Sequence, residues 1–227
     1  MAEHALSVGN IFFALSPQIA VRDTLDPTLT CPPPVVAECT GNNGVAKTDP
    51  QLAAFFAGAS ALDACDASIP ITNNAPNLIP LGNNSITFTG TDDSSNAGVC
   101  SALISVVDTT LPTISVSVTP PSEFPPNHKM FDVTATVVVN DSCDPNPVIT
   151  LTSITSNEPA NGTGDGNTEP DVQGAALGTA DFAFQLRAER SGGGSGRIYT
   201  VTYSVTDGSG NATSASAQVV VPKSASQ

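Results

Sequence analysis

Short runs in which apolar and polar residues strictly alternate dominate the second half of the chain. They cover residues 113–118, 131–139, 148–154, 180–186, 198–205 and 215–221. Side chains of a strand point to opposite faces in turn, so this pattern predicts half-buried β-strands. The first half carries the same signal in weaker form at 28–31, 35–39, 85–91 and 99–107. Pro32-Pro-Pro34 separates the first two runs, since proline cannot donate to a strand ladder. One segment breaks the pattern. Asp49-Pro-Gln-Leu-Ala-Ala-Phe-Phe-Ala57 predicts a short helix, with Asp49 as N-cap and Pro50 at its first position. Many short strands punctuated by turn residues predict a β-sandwich.

The strands fall into two copies of one plan. Asp23-Thr-Leu-Asp-Pro27-Thr-Leu-Thr30 returns as Asp108-Thr-Thr-Leu-Pro112-Thr-Ile-Ser115. Asp63-Ala-Cys65-Asp66 returns as Asp141-Ser-Cys143-Asp144, and Thr91-Asp92-Asp-Ser-Ser-Asn96 returns as Thr206-Asp207-Gly-Ser-Gly-Asn211. Three landmarks in one order indicate a duplicated domain. The expected division is a 1–22 extension, a first domain at 23–110 and a second at 111–227. The interval from Asp63 to Asp92 is 29 residues and that from Asp141 to Asp207 is 66, so the second copy carries a 37-residue insertion. Features shared by both copies read as fold, and the Asp and Asn of the two turns read as turn chemistry.

Composition narrows the function. Lys and Arg total 7 against 21 Asp and Glu, a net charge of −14. Such a surface excludes nucleic acid as a partner, because phosphate binding needs cationic side chains. No apolar stretch is long enough for a transmembrane helix. The five cysteines have no C-x-x-C spacing, which favours disulfides and an oxidising compartment over zinc. A G-x-S-x-G nucleophile motif is missing, and His128 has no evident partner in sequence, so a catalytic reading has no support.

The Asp-Thr-x-x-Pro-Thr junction, Asp-x-Cys-Asp and Thr-Asp-x-Ser-x-Asn resemble the hyalin-repeat (HYR) family of immunoglobulin-like domains. The first copy matches over nearly its whole length. The second is similar to an immunoglobulin-like module of bacterial secreted proteins, through Pro125-Pro-Asn-His-Lys-Met130, Ser156-Asn-Glu-Pro159, Leu186-Arg-Ala-Glu-Arg-Ser191 and Gly196-Arg-Ile-Tyr199. The resemblance implies an all-β chain of two tandem immunoglobulin-like sandwiches, extracellular and non-enzymatic, of the kind strung in adhesive arrays. Four cysteines in the first copy allow three pairings. Cys31 and Cys100 align with Val116 and Ala215 of the second copy, so they turn apolar together. First and last strands of such sandwiches are neighbours, which makes Cys31–Cys100 the expected bridge and leaves Cys39–Cys65. Cys143 then has no partner in its own domain and is either a buried thiol or half of an intermolecular bridge.

Two places differ between the copies. Inside the insertion, Asp165, Asn167, Glu169 and Asp171 put oxygen side chains at alternate positions of a Gly-containing loop, as the start of a calcium loop does. Glu158 and Glu189 are candidate further ligands. Pro170 and Ala176 depart from the calcium-loop pattern, and a solvated acidic loop is the other reading. In the extension, Ile11, Phe12, Phe13 and Leu15 form an apolar run suited to adding a strand to a neighbour's sheet edge; a plain tail is the alternative. The expected function is an extracellular or cell-surface structural or adhesive protein, a homo-oligomer or a partner of other surface proteins, with Ca²⁺ as a possible cofactor. A calcium-dependent glycan binder and a virion decoration protein are the rival readings.

Overall fold

The computed structural model describes residues 21–166 and 168–224. The run Ile11, Phe12, Phe13 and Leu15, and Asn167 of the acidic loop, lie outside the described residues. In chain order the strands are β1 (Thr28–Thr30), β2 (Val35–Glu38), β3 (Gly44–Ala46), β4 (Ser60–Leu62), β5 (Ile71–Asn73), β6 (Leu78–Pro80), β7 (Gly82–Thr91), β8 (Ala97–Val107), β9 (Thr113–Thr119), β10 (Met130–Asn140), β11 (Val148–Ser156), β12 (Val172–Gln173), β13 (Ala183–Arg187), β14 (Gly196–Thr206) and β15 (Ala212–Pro222). The helix α1 (Ala53–Ala57) follows a 3₁₀ turn at Pro50–Leu52, and the Asp49 carboxylate accepts from Gln51 N at 3.0 Å as the N-cap. Its Leu52 and Phe55 are buried, which anchors the turn in the core.

The C-terminal half packs a four-stranded sheet, β12-β13-β10-β9, against a three-stranded sheet, β11-β14-β15. Alternation decides which side chains meet. Tyr199, Val201 and Tyr203 of β14 point inward with Val219 and Val221 of β15, and face Val133, Phe184 and Leu186 of the other sheet. Each fully buried aliphatic or aromatic side chain contributes roughly 1.5–3 kcal/mol. Both buried tyrosines keep their hydroxyls bonded, Tyr199 to Arg187 O at 3.0 Å and Tyr203 to Asp181 O at 2.6 Å.

The N-terminal half builds a four-stranded sheet, β2-β8-β7-β5, with β2 parallel to β8, plus the pairs β1-β4 and β3-β6. Its core gathers Val45, Leu52, Phe55, Ile79, Phe88 and Ile104. The strands β3, β5 and β6 are too short for alternation to show in the sequence. The duplication is visible in the pairing. β1 pairs β4 as β9 pairs β10; β5 pairs β7 as β11 pairs β14; the β7–β8 hairpin matches the β14–β15 hairpin. The residues that the second copy has in excess therefore sit between β11 and β14, and they supply β12 and β13.

Candidate functional site

Two features of the structure bear on function: how the halves are joined and where the acidic side chains converge. Cys31–Cys100 is bonded with an S–S distance of 2.05 Å, the bridge expected from the copies. The expected bridge Cys39–Cys65 is not formed; Cys39 bonds Cys143 across the two halves. The topology explains the correction. Cys39 follows β2, and its N–H donates to Val107 O at the end of β8. Cys65 belongs to the Asp63–Asp66 turn, whose carboxylates meet Asp92 before the start of β8. The length of β8, 11 residues, separates the two ends by about 33 Å at 3.3 Å per residue. Cys143, on the counterpart turn of the second half, faces the end where Cys39 lies. Asn43 N donates to Cys143 O at 2.7 Å, which seats this turn against the first half. Cys65 is a free, exposed thiol. Two disulfides place the folded chain in an oxidising compartment, extracellular in character.

The insertion gathers around an arginine. Arg197 lies on β14 at the inward position two before Tyr199, and its side chain is fully buried. One guanidinium nitrogen, Nη1, donates to Asp171 Oδ2 and, at 3.3 Å, to Tyr199 Oη. The other, Nη2, donates to Pro159 O at 3.0 Å and lies 3.5 Å from Asp165 Oδ2. Glu158 Oε2 stands 3.5 Å from Nε and also accepts from Ser191 N at 2.7 Å. Three of the residues expected to hold a metal, Glu158, Asp165 and Asp171, thus converge on the chain's own guanidinium.

The remaining expected ligands divide. Glu189 is buried beside this group, accepting from Thr168 Oγ1 at 2.7 Å with His128 Nδ1 at 3.3 Å. Glu169 is exposed and accepts from Asn161 Nδ2 at 2.6 Å, apart from the others. Arg187 supports the group from β13. It donates to His128 O and Pro170 O, with Nε 3.9 Å from Asp171 Oδ1. Burial, reinforced by the neighbouring Glu189 carboxyl and opposed by Arg197, pushes the Asp171 carboxyl up to about 6. Tyr199 is pushed up to about 12, chiefly by burial. The Gly-rich segment at 191–196 packs into this group. A Cβ on Gly194 would meet Glu158 Oε1 at 2.7 Å, so the backbone there lies against the carboxylate. Sequence reasoning missed Arg197 as the centre, although the alternation that turns Tyr199 and Val201 inward also turns Arg197 inward. A charged residue on an apolar face needs partners.

The repeated landmarks also converge. Carboxylate oxygens of Asp108, Asp141 and Asp207 lie within 4.8 Å of one another, and those of Asp23, Asp63, Asp66 and Asp92 do so in the first copy. Each carries turn hydrogen bonds. Asp207 Oδ1 accepts from Ser209 N and Asn211 N, and Asp141 Oδ1 accepts from Cys143 N and Asp144 N. These are two acidic clusters, and of their members Asp92 and Asp207 belong to the turns that the duplication marks as turn chemistry.

No family model matches the chain, and no curated protein matches it. Among solved structures it is similar to the fibronectin(III)-like modules of Clostridium thermocellum CbhA, at 11% identity over 86% of this chain and 94% of that one, with a TM-score of 0.29. It is similar to extracellular cadherin domains 3–6 of protocadherin gamma B2 at 11% identity, 86% and 47% coverage and a TM-score of 0.34. The human desmocollin-1 ectodomain gives 13% identity, 90% and 39% coverage and a TM-score of 0.24. The chain spans less than half the length of these last two proteins. Likeness at this level assigns neither a family nor a function. Among the described residues no helix is long and apolar enough to cross a membrane. The chain is almost all β, with discrete sheets and two disulfides.

Proposed function

We propose that the chain is a non-enzymatic, extracellular structural or adhesive segment, made of two immunoglobulin-like modules at 23–110 and 111–227 that resemble hyalin repeats. The observation that carries this reading is the Cys39–Cys143 bridge, which joins one module to the next. Cross-linking residues so far apart in sequence contributes about 4.7 kcal/mol in the chain-entropy model when both halves unfold together. The bridge fixes the orientation of the modules, a property useful to a stalk or an array and of no use to a flexible tether. The buried Arg197 group serves the same end by packing the insertion onto the second module, with a guanidinium where a calcium ion would otherwise bind. Residues 1–22, with Ile11, Phe12, Phe13 and Leu15, are the segment that engages a neighbouring copy or another surface protein.

Non-reducing peptide mapping after alkylation tests the bridge. It is expected to recover Cys31 with Cys100, Cys39 with Cys143, and alkylated Cys65. A Cys39–Cys65 peptide would overturn the reading. Sedimentation of the full chain and of a chain lacking residues 1–22 tests the assembly role, which fails if both remain monomeric at every concentration.

A further inference from the structure

We infer that Asp108, Asp141 and Asp207 form a divalent-cation site of calcium type at the junction between the two halves. Asp108 lies in the connection between β8 and β9, Asp141 in the turn after β10, and Asp207 in the β14–β15 turn. One carboxylate oxygen from each lies within 4.8 Å of the other two. Three oxygens at that spacing share a point no more than about 2.8 Å from each, and a closing movement of a few tenths of an ångström brings all three to the roughly 2.3–2.6 Å of a calcium–oxygen contact. Asp108 is only 8% exposed, and its Oδ2 is buried with no hydrogen-bond donor. Asp141 Oδ2, in the same cluster, is also buried without a donor. A buried carboxylate oxygen facing other carboxylates is costly unless a cation or donor meets it.

The contrast with Arg197 sharpens the point. Among the described residues, the ion pairs all belong to Arg187, Arg197 or His128, and none includes Asp108, Asp141 or Asp207. Where the insertion gathers carboxylates, the chain supplies its own cation; at the junction it supplies neutral donors. The arrangement recurs in the first copy, where Asp23, Asp63, Asp66 and Asp92 meet and Asp23 Oδ2 likewise lacks a donor. The turn that supplies Asp141 also carries Cys143, so the ion would hold the linker to the turn that the Cys39–Cys143 disulfide also grips. Calcium is the class of ion that suits three carboxylates completed by water and backbone oxygens.

The test is equilibrium dialysis of the chelator-stripped full chain against radioactive Ca²⁺ at neutral pH. Asp108→Asn and Asp141→Asn are the informative variants. Each retains the Oδ1 that accepts the turn N–H groups and replaces the unpartnered oxygen with an amide nitrogen, which is not a calcium ligand. Circular dichroism shows that each variant is folded, and either one alone suffices if the other is not. Binding by the native chain in the range of extracellular modules, on the order of 10⁻⁴–10⁻³ M, is expected, with the affinity of one equivalent weakened roughly tenfold or more in each variant. No Ca²⁺ uptake by the native chain, or unchanged uptake in folded Asp108→Asn or Asp141→Asn, overturns the proposal. So does loss of the bound equivalent only in Asp165→Asn, which would locate the ion in the insertion.

Discussion

Replacing Arg197 by Met separates a structural guanidinium from a dispensable one. The side chain is fully buried and in contact with three acidic residues, one backbone carbonyl and the Tyr199 hydroxyl. Methionine fills comparable space but removes the guanidinium facing Asp165 and Glu158, and leaves Asp171 only Arg187, whose Nε is 3.9 Å away. Breaking a buried pair by removing one member costs about 3–5 kcal/mol. That is a large part of the roughly 5–15 kcal/mol that holds a domain together. Urea unfolding followed by tyrosine fluorescence is the assay. The chain has two tyrosines and no tryptophan, and both tyrosines lie in the C-terminal core, so the signal reports that half alone.

A second arm at pH 5 checks the cause. Carboxylates buried without a cation bind protons more tightly in the folded variant than in its unfolded chain. The variant's deficit therefore shrinks as pH falls. Arg197→Lys keeps the charge without the fork and should fall between the two. Arg190→Met is the control, since among the described residues that guanidinium donates to the carbonyls of Pro222, Ser191 and Lys223 and pairs with no carboxylate. A loss below about 1 kcal/mol at pH 7, the worth of an ordinary hydrogen bond, would refute the reasoning. An equal loss at both pH values would refute the electrostatic part of it.

Two further outcomes are expected. A carbon-detected titration should find the Asp171 carboxyl near 6. Because that value lies above the ordinary 3.8, the folded chain holds this proton after the unfolded chain has released it, and Asp171 makes stability fall as pH rises through that window. Asp207 has the opposite sign: its carboxyl is lowered, with its hydrogen bonds from Asn211 outweighing the effect of burial, so its contribution is present above the unfolded value and lost on acidification. An Asp171 midpoint below about 4, the unperturbed value, would contradict the burial assigned to it. Gly98→Ala should destabilise the N-terminal half by more than about 2 kcal/mol by thermal melting, through overpacking against backbone. A Cβ there would lie 1.9 Å from Pro27 O, whereas Gly193→Ala meets nothing within 4 Å and should melt with the native chain. Equal melting of the two variants would refute the close approach.

The long strands were legible because alternation survives where one face is solvated. β9, β10, β14 and β15 lie within two or three residues of their expected limits at each end. β3, β5 and β6 were not, because a three-residue strand has no period to read. The Asp49 cap was legible because its geometry is local. Cys31–Cys100 followed from comparing the copies, since both partners belong to one copy. Cys39–Cys143 did not, because comparing copies treats each as a closed unit and the bond crosses between them. The acidic loop was legible as a place where carboxylates gather. Its guanidinium lies 26 residues beyond Asp171, on a strand, where only the inward register of β14 announces it.

That crossing bond changes what a shared feature means in a duplicated chain. Residues common to both copies were assigned to fold, on the ground that function should mark what differs. The carboxylates split that assignment atom by atom. In Asp141 one oxygen holds the turn through Cys143 N and Asp144 N, and the other has no donor. Asp108 divides in the same way, with Thr110 N on one oxygen only. Turn geometry requires the first oxygen and leaves the second unexplained. The two Asp-x-Cys-Asp turns then differ in occupancy rather than in kind. Cys143 meets Cys39 of the N-terminal half, whereas Cys65, on the counterpart turn at the other end of that half, is exposed with Asp23 and Asp63 beside it. Those carboxylates, Asp23 foremost, raise the Cys65 thiol and slow its chance oxidation.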